Sequence, residues 1–203
     1  MKMGKIKYVD KFILTLVVII GLALMLAITI PKGTFVLFMQ YLRTPVLDYI
    51  MEFFSFLGLG IMVIPVLIIV WRRCGLLQLI ASGGTAIFLA IIVQFLKQTF
   101  NEPRPASALE FMPEPYPFST PHELFSFPSG HSATAFFIAT TLFMVFRTRK
   151  VLILAFIYAT LVAISRIYLF QHFFVDTVVG AIIGISLGYL AFKTRVRCDE
   201  QQS

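Results

Sequence analysis

Residues 131–170 read HSATAFFIATTLFMVFRTRKVLILAFIYATLVAISRIYLF: two apolar runs with only Arg147 to Lys150 between them. The pair predicts a tight hairpin of two helices, and its apolarity sets the class of the whole chain. Further apolar runs lie on either side, at about 12–30, 49–71, 76–96 and 173–192. A spanning helix needs ~20 apolar residues to cross a ~30 Å hydrocarbon core, and the first three and the last are long enough. Of the 203 residues, 59% are hydrophobic, 13% are charged and 22 are phenylalanine. The mean hydropathy is +0.89. A soluble domain of this size needs more charge on its surface, so the expectation is an all-α, polytopic membrane protein. Six transmembrane helices are expected in a single domain, 1–203, with a kink at Pro65. The first run has no convincing small-residue cleavage site and reads as a retained span.

Net charge is +7, but its placement argues against nucleic acid. The basic residues cluster between apolar runs, as topology signals do. With the N-terminus inside, one side carries twelve of the seventeen, in groups around Lys2–Lys11, Arg72–Arg73, Arg147–Lys150 and Lys193–Arg197. Both termini are therefore expected in the cytoplasm. Cys74 and Cys198 lie beside basic clusters, and the expectation there is free thiols rather than a disulfide.

The five remaining cations, Lys32, Arg43, Lys97, Arg104 and Arg166, fall on the outer side and need another explanation. That side also holds the one long connection, about 97–130, with seven of the ten prolines. A loop of this length is usually functional or disordered. Leu109, Phe111, Met112, Tyr116, Phe118, Leu124 and Phe125 suggest that it lies on the bilayer surface.

Three clusters converge on the outer side: Lys97 to Pro105 (KQTFNEPRP), Pro128 to His131 (PSGH), and Ser165 to Asp176 (SRIYLFQHFFVD). Lys97, Arg104 and Arg166 offer donors suited to a phosphoryl group. Ser129 and Gly130 stand at a helix start, where free backbone N–H groups favour an anion. His172 and Asp176 have the four-residue spacing of neighbours on one helix face. A carboxylate holding one ring nitrogen leaves the other as a nucleophile. His131 remains as an acid for the leaving group. Singly, each residue has a bland reading: a snorkelling cation, an interfacial histidine, Asp176 as a helix cap, PSGH as an ordinary helix start. Their joint occurrence on one side is the signal. The carboxylates nearby are not in ligand spacing with both histidines, so a metal site is disfavoured.

In order, K-x6-RP, PSGH and SR-x5-H-x3-D resemble the three-part signature of the type 2 phosphatidic acid phosphatase (PAP2) superfamily, with every position filled. The resemblance implies a six-helix bundle and a phosphatase that needs no metal or other cofactor. It also implies roles: His172 attacks phosphorus, Asp176 orients it, and His131 protonates the leaving oxygen. Lys97, Arg104, Arg166, Ser129 and Gly130 bind the phosphate oxygens. Within the family the short chain is similar to bacterial phosphatidylglycerophosphatase B-type lipid phosphatases. That implies a bacterial cell membrane, an extracytoplasmic site and no obligate protein partner. The implied substrates are phosphatidylglycerol phosphate, phosphatidic acid or undecaprenyl pyrophosphate.

Helix length adds one inference. Lys150 to Arg166 spans about 24 Å at ~1.5 Å per residue, which sets the site at or just below the outer headgroup level. A lipid could present its phosphate there by sliding in sideways. A vanadate-binding haloperoxidase-like protein is disfavoured for want of a soluble body. A lipid-headgroup-binding or transport protein would need the cations but not the His172–Asp176 pair.

Overall fold

A computed structural model describes residues 15, 18–111, 113–120, 122–193 and 198. Among them the chain is helical, without strands: α1 (Val18–Thr29), α2 (Thr34–Tyr41), α3 (Pro45–Leu57), α4 (Val63–Phe100), the single turn α5 (Pro105–Ala108), α6 (Gly130–Phe146), α7 (Arg149–Tyr168) and α8 (Phe174–Lys193).

The expected hairpin is α6 and α7. Arg147 takes the left-handed conformation (φ 49°) and donates its N–H to the Phe143 carbonyl at 2.8 Å, ending α6. Thr148, next in sequence, is extended, and its hydroxyl accepts from the Val151 N–H at 3.3 Å. One residue stops a helix and the next caps its successor, so the turn is as short as the sequence suggests.

Helix α8 lies against α6 along Gly180, Gly184 and Gly188, which share one face at four-residue spacing. A Cβ at Gly180 would stand 2.4 Å from the Ser129 carbonyl oxygen, and one at Gly184 would stand 2.2 Å from that of Ala133. Small residues let the two backbones approach, the usual basis of helix association where lipid removes the hydrophobic driving force.

Helix α4 is two arms joined at Gly75, whose φ of 81° and ψ of 179° break the helix where the runs 49–71 and 76–96 were expected to part. Positive φ of this kind suits glycine. The arms fold together, with Val63, Val66, Leu89 and Val93 in one core cluster. Run 49–71 is not one helix, however. It breaks at Gly58 to Gly60, between α3 and a 3-10 turn, Gly60–Met62. A Cβ at Gly58 would lie 2.6 Å from Val162 and 3.1 Å from His131. Pro65 causes no kink; it sits in the first turn of α4, where a missing N–H costs nothing.

By length and composition, three described helical stretches can cross a membrane: Gly60–Ala108, Arg149–Tyr168 and Phe174–Phe192. The bent pair α1 and α2 makes a fourth if it is one span, and α6 is a shorter apolar helix. On α4, Leu76, Leu77, Ile80, Ile87, Ile91 and Phe95 are exposed. An apolar face this long fits lipid rather than water.

Part of the connection from α4 to α6 packs onto the end of the bundle, while Phe111, Phe118, Leu124 and Phe125 stay exposed. Tyr116 is buried, donating its hydroxyl to the Tyr168 carbonyl at 2.9 Å and accepting from Gln40 at 2.7 Å. Burial pushes its pKa up to about 12, which keeps that donor protonated. Leu109 packs over Gly33. Phe118 remains open, 78% exposed, and Met112 lies outside the described residues. Backbone bonds from the Arg104 N–H to the Glu123 carbonyl (2.7 Å) and from the Ser126 N–H to the Glu102 carbonyl (3.0 Å) fasten the loop to itself.

At the opposite end, Cys74 and Cys198 form a disulfide, against the expectation of free thiols. Packing explains it. Gln78 donates to the Ala191 carbonyl at 2.8 Å, so the end of α8 lies beside Cys74, next to the Gly75 turn. A sequence separation of 124 hides that approach.

Candidate active site

The three sequence clusters come together at the loop-covered end. Asp176, in the first turn of α8, is fully buried. Its Oδ2 accepts from the N–H of Phe173, just before the helix, at 2.9 Å, and from Ser126 Oγ at 2.5 Å. The first contact is the carboxylate half of a capping box, so Asp176 does cap its helix. It also faces His172: Nδ1 lies 3.6 Å from Oδ2. That is too long for a hydrogen bond and closes to one with a shift of under about 1 Å. Nδ1 and Asp176 Oδ1 are both buried without a partner.

His172 lies in the turn between α7 and α8, not on a helix as its spacing suggested. Its N–H donates to the Arg166 carbonyl at 3.1 Å. Burial, followed by the fields of Arg166, Arg104 and Lys97, lowers its pKa well below the ordinary histidine value. The ring is therefore neutral at neutral pH, with Nδ1 toward the carboxylate and Nε2 turned away from it.

Ser129 caps α6, its Oγ accepting from the Ser132 N–H at 3.4 Å. Its own N–H donates to the Asp176 carbonyl at 3.0 Å, which locks the PSGH turn to the start of α8. A Cβ at Gly130 would meet only Val93, at 3.6 Å. Packing does not require glycine there. His131 follows in the first turn of α6, within the fields of Arg166, His172, Arg104 and Lys97.

The three cations are held by neutral acceptors. Lys97 donates to the Phe125 carbonyl. Arg104 donates from Nε to the Leu124 carbonyl at 2.8 Å and from Nη1 to Gln171 Oε1 at 2.6 Å. Arg166 donates from Nη1 to Ser55 Oγ, and its buried Nε has no partner. Among the described residues, none of the three has a carboxylate within ion-pair distance. A cavity of about 560 Å³ reaches Lys97, Gly130 and His131 and is otherwise lined mainly by apolar residues such as Leu67, Ala86 and Ala90; Arg104, Arg166 and His172 are not among its lining residues. Among the described residues, no cluster of three or more His, Cys, Asp or Glu side chains is placed to hold a metal ion.

The sequence reading missed Ser55, Ser126 and Gln171. For α3 a signal existed: Asp48, Glu52 and Ser55 recur at i, i+4 and i+7 in an otherwise apolar helix, and all three are buried. Ser126 and Gln171 carry no such periodicity.

The chain as a whole is similar to known proteins. Residues 77–199 match the family described as the PAP2 superfamily. A crystal structure of LpxE from Aquifex aeolicus is 32% identical, covers 80% of this chain and 94% of its own, and superposes with a TM-score of 0.66. A transmembrane PAP2-type phosphatidylglycerolphosphate phosphatase from Bacillus subtilis is 27% identical, covers 91% of this chain and 94% of its own, and has a TM-score of 0.63. The undecaprenyl-diphosphatase BcrC of Bacillus subtilis is 34% identical over 89 residues, 41% of this chain and 45% of that protein.

Proposed function

The chain belongs to the PAP2 superfamily and is a membrane lipid phosphatase, and from that premise we propose that it releases phosphate from phosphatidylglycerol phosphate or undecaprenyl pyrophosphate, with phosphatidic acid a further substrate, through a phosphohistidine on His172. The observation that carries this reading is the cation cluster. Among the described residues, Lys97, Arg104 and Arg166 lack salt-bridge partners, while Lys32 and Arg43 at the same end have them. A cluster with surplus positive charge in a partly dry site calls for an anion with several oxygens.

His172 Nε2 attacks phosphorus while Asp176 holds the proton on Nδ1. The bond from phosphorus to the leaving oxygen breaks, its electron pair stays on that oxygen, and His131 supplies the proton. Water then attacks phosphorus and passes a proton back to His131; the P–N bond breaks, restoring His172 and releasing phosphate. Lys97, Arg104, Arg166, the Ser129 hydroxyl and the Gly130 backbone N–H hold the non-bridging oxygens, where charge builds in the transition state. No step draws on a metal or other cofactor. The apolar side of the cavity suits a lipid tail.

Topology completes the reading. Six spans, with α3 and the first arm of α4 sharing one crossing, put both termini and twelve basic residues in the cytoplasm and the site on the outer face of a bacterial cell membrane. Cysteines introduced within 106–120 should then react with an impermeant label in intact cells. The test needs Cys74 and Cys198 replaced by serine, because a disulfide conceals their accessibility. Labelling only after lysis would reverse the orientation.

The function itself is tested by phosphate release from purified protein in detergent with EDTA present, using all three lipids. Turnover of at least one is expected. Tight lipid binding without release would replace the enzyme by a headgroup-binding protein.

A further inference from the structure

Gln171 stands directly before His172 and is 1% exposed, yet no step above uses it. Its side-chain Oε1 accepts from Arg104 Nη1 at 2.6 Å, and its backbone carbonyl accepts from the same nitrogen at 3.3 Å. Its Nε2 donates to the Thr120 carbonyl at 2.9 Å. Arg104 Nε is taken by the Leu124 carbonyl. The guanidinium is thus pinned along two edges by neutral acceptors. Arg104 Nη2 has no hydrogen-bond partner among the described residues.

A guanidinium is planar, so fixing two of its nitrogens fixes the direction of the third. We propose that Gln171 is a positioning residue that aims Arg104 Nη2 at the phosphate while leaving the full positive charge of Arg104 available to it. Few side chains can do this. The site needs an acceptor toward Arg104 and a donor toward Thr120, which a carboxamide supplies from one group. A carboxylate would neutralise Arg104 and set a lone pair against the Thr120 carbonyl. An apolar side chain would leave Nη1 one acceptor short. Because Gln171 adjoins His172, one turn fixes both the nucleophile and a phosphate contact.

The inference rests on the reading that this site binds a phosphoryl group, and the experiment separates the two. Steady-state phosphate release from phosphatidylglycerol phosphate, and competitive inhibition by inorganic phosphate, are measured for wild type, Arg104→Ala, Gln171→Met and the double variant. Gln171→Met should weaken phosphate inhibition and lower kcat/KM by about tenfold, the loss expected of one hydrogen bond to a charged group. The double variant should be no worse than Arg104→Ala, within about twofold, because a residue that acts through Arg104 has nothing left to position. Gln171→Glu should approach Arg104→Ala. Multiplying losses in the double variant, or a Gln171→Met enzyme with unchanged phosphate inhibition, would overturn the inference. Should Gln171→Met not fold, Gln171→Asn completes the same cycle, keeping the carboxamide but shortening its reach. Wild type inactive on all three lipids would sink the phosphatase reading itself, whereas an active wild type, a crippled Arg104→Ala and normal Gln171 variants would sink only this inference.

Discussion

Five cations crowd one end of this bundle and fall into two sets. Lys32 meets Glu102 at 2.8 Å, and Arg43 meets Asp48 at 2.9 Å while also bonding the Glu114 and Pro115 carbonyls. These two pin the long connection to the helices. Among the described residues, Lys97, Arg104 and Arg166 hydrogen-bond only to carbonyls, a carboxamide and a hydroxyl. Even with Asp176 and Glu52 counted against them, positive charge is in excess. Charges of the first set are cancelled within the fold; those of the second are kept for something that arrives. A protein using cations only for anchoring would have little reason to treat them so differently.

The sharpest way to break this contrast is to remove the group the second set surrounds. His172→Ala should lower turnover by several orders of magnitude while lipid binding, which rests on the cations, persists. Substantial remaining activity would refute a nucleophile at that position. Next comes His131→Ala. Loss of a general acid costs ~10²–10⁴ in rate, and a phosphate leaving group needs less proton donation than an alkoxide. Its defect should therefore be markedly smaller on undecaprenyl pyrophosphate than on phosphatidylglycerol phosphate; equal losses would make His131 a phosphate binder only.

Smaller still are the cations themselves. Arg104→Ala or Arg166→Ala removes a hydrogen bond to a charged group, worth ~1.5–3 kcal/mol, and should cut kcat/KM by about 10- to 150-fold with the fold intact. The anchoring pair should behave in the opposite way. Arg43→Ala strands a buried carboxylate, costing up to ~3–5 kcal/mol of stability, with kcat/KM of the folded fraction nearly unchanged. Lys32→Ala, in a half-exposed pair, should cost only ~0–1 kcal/mol. Thermal midpoints and kcat/KM measured together decide it: if Arg43→Ala loses activity without stability, the two sets are not distinct.

The bundle was legible because its signals are local. Apolar runs and the RTRK turn are written in neighbouring residues, as are the spacings of the three site clusters. The structure brings Lys97, Arg104, Ser129, Gly130, His131, Arg166, His172 and Asp176 to one end, as their motifs anticipated. What stayed hidden depends on residues far apart in the chain. Tyr116 is apolar enough to suit a bilayer surface, and only its hydrogen bonds to Gln40 and Tyr168 show why it is buried. The break at Gly58 answers to Val162 and His131, 104 and 73 residues further along the chain and out of reach of any local reading. The disulfide follows from where α8 ends, which no cysteine spacing reveals. Gln171 reads as one variable position between an arginine and a histidine until Arg104 is set beside it.

All of this turns on His172 forming a bond to phosphorus. Purified enzyme is mixed with phosphatidylglycerol phosphate, quenched within milliseconds in alkali, where phosphohistidine survives, and the peptide carrying residue 172 is weighed. A phosphate on His172 is expected in the wild type and none on any residue in His172→Ala. Full turnover with an unmodified His172 at every quench time, or the phosphate on another residue, would contradict it.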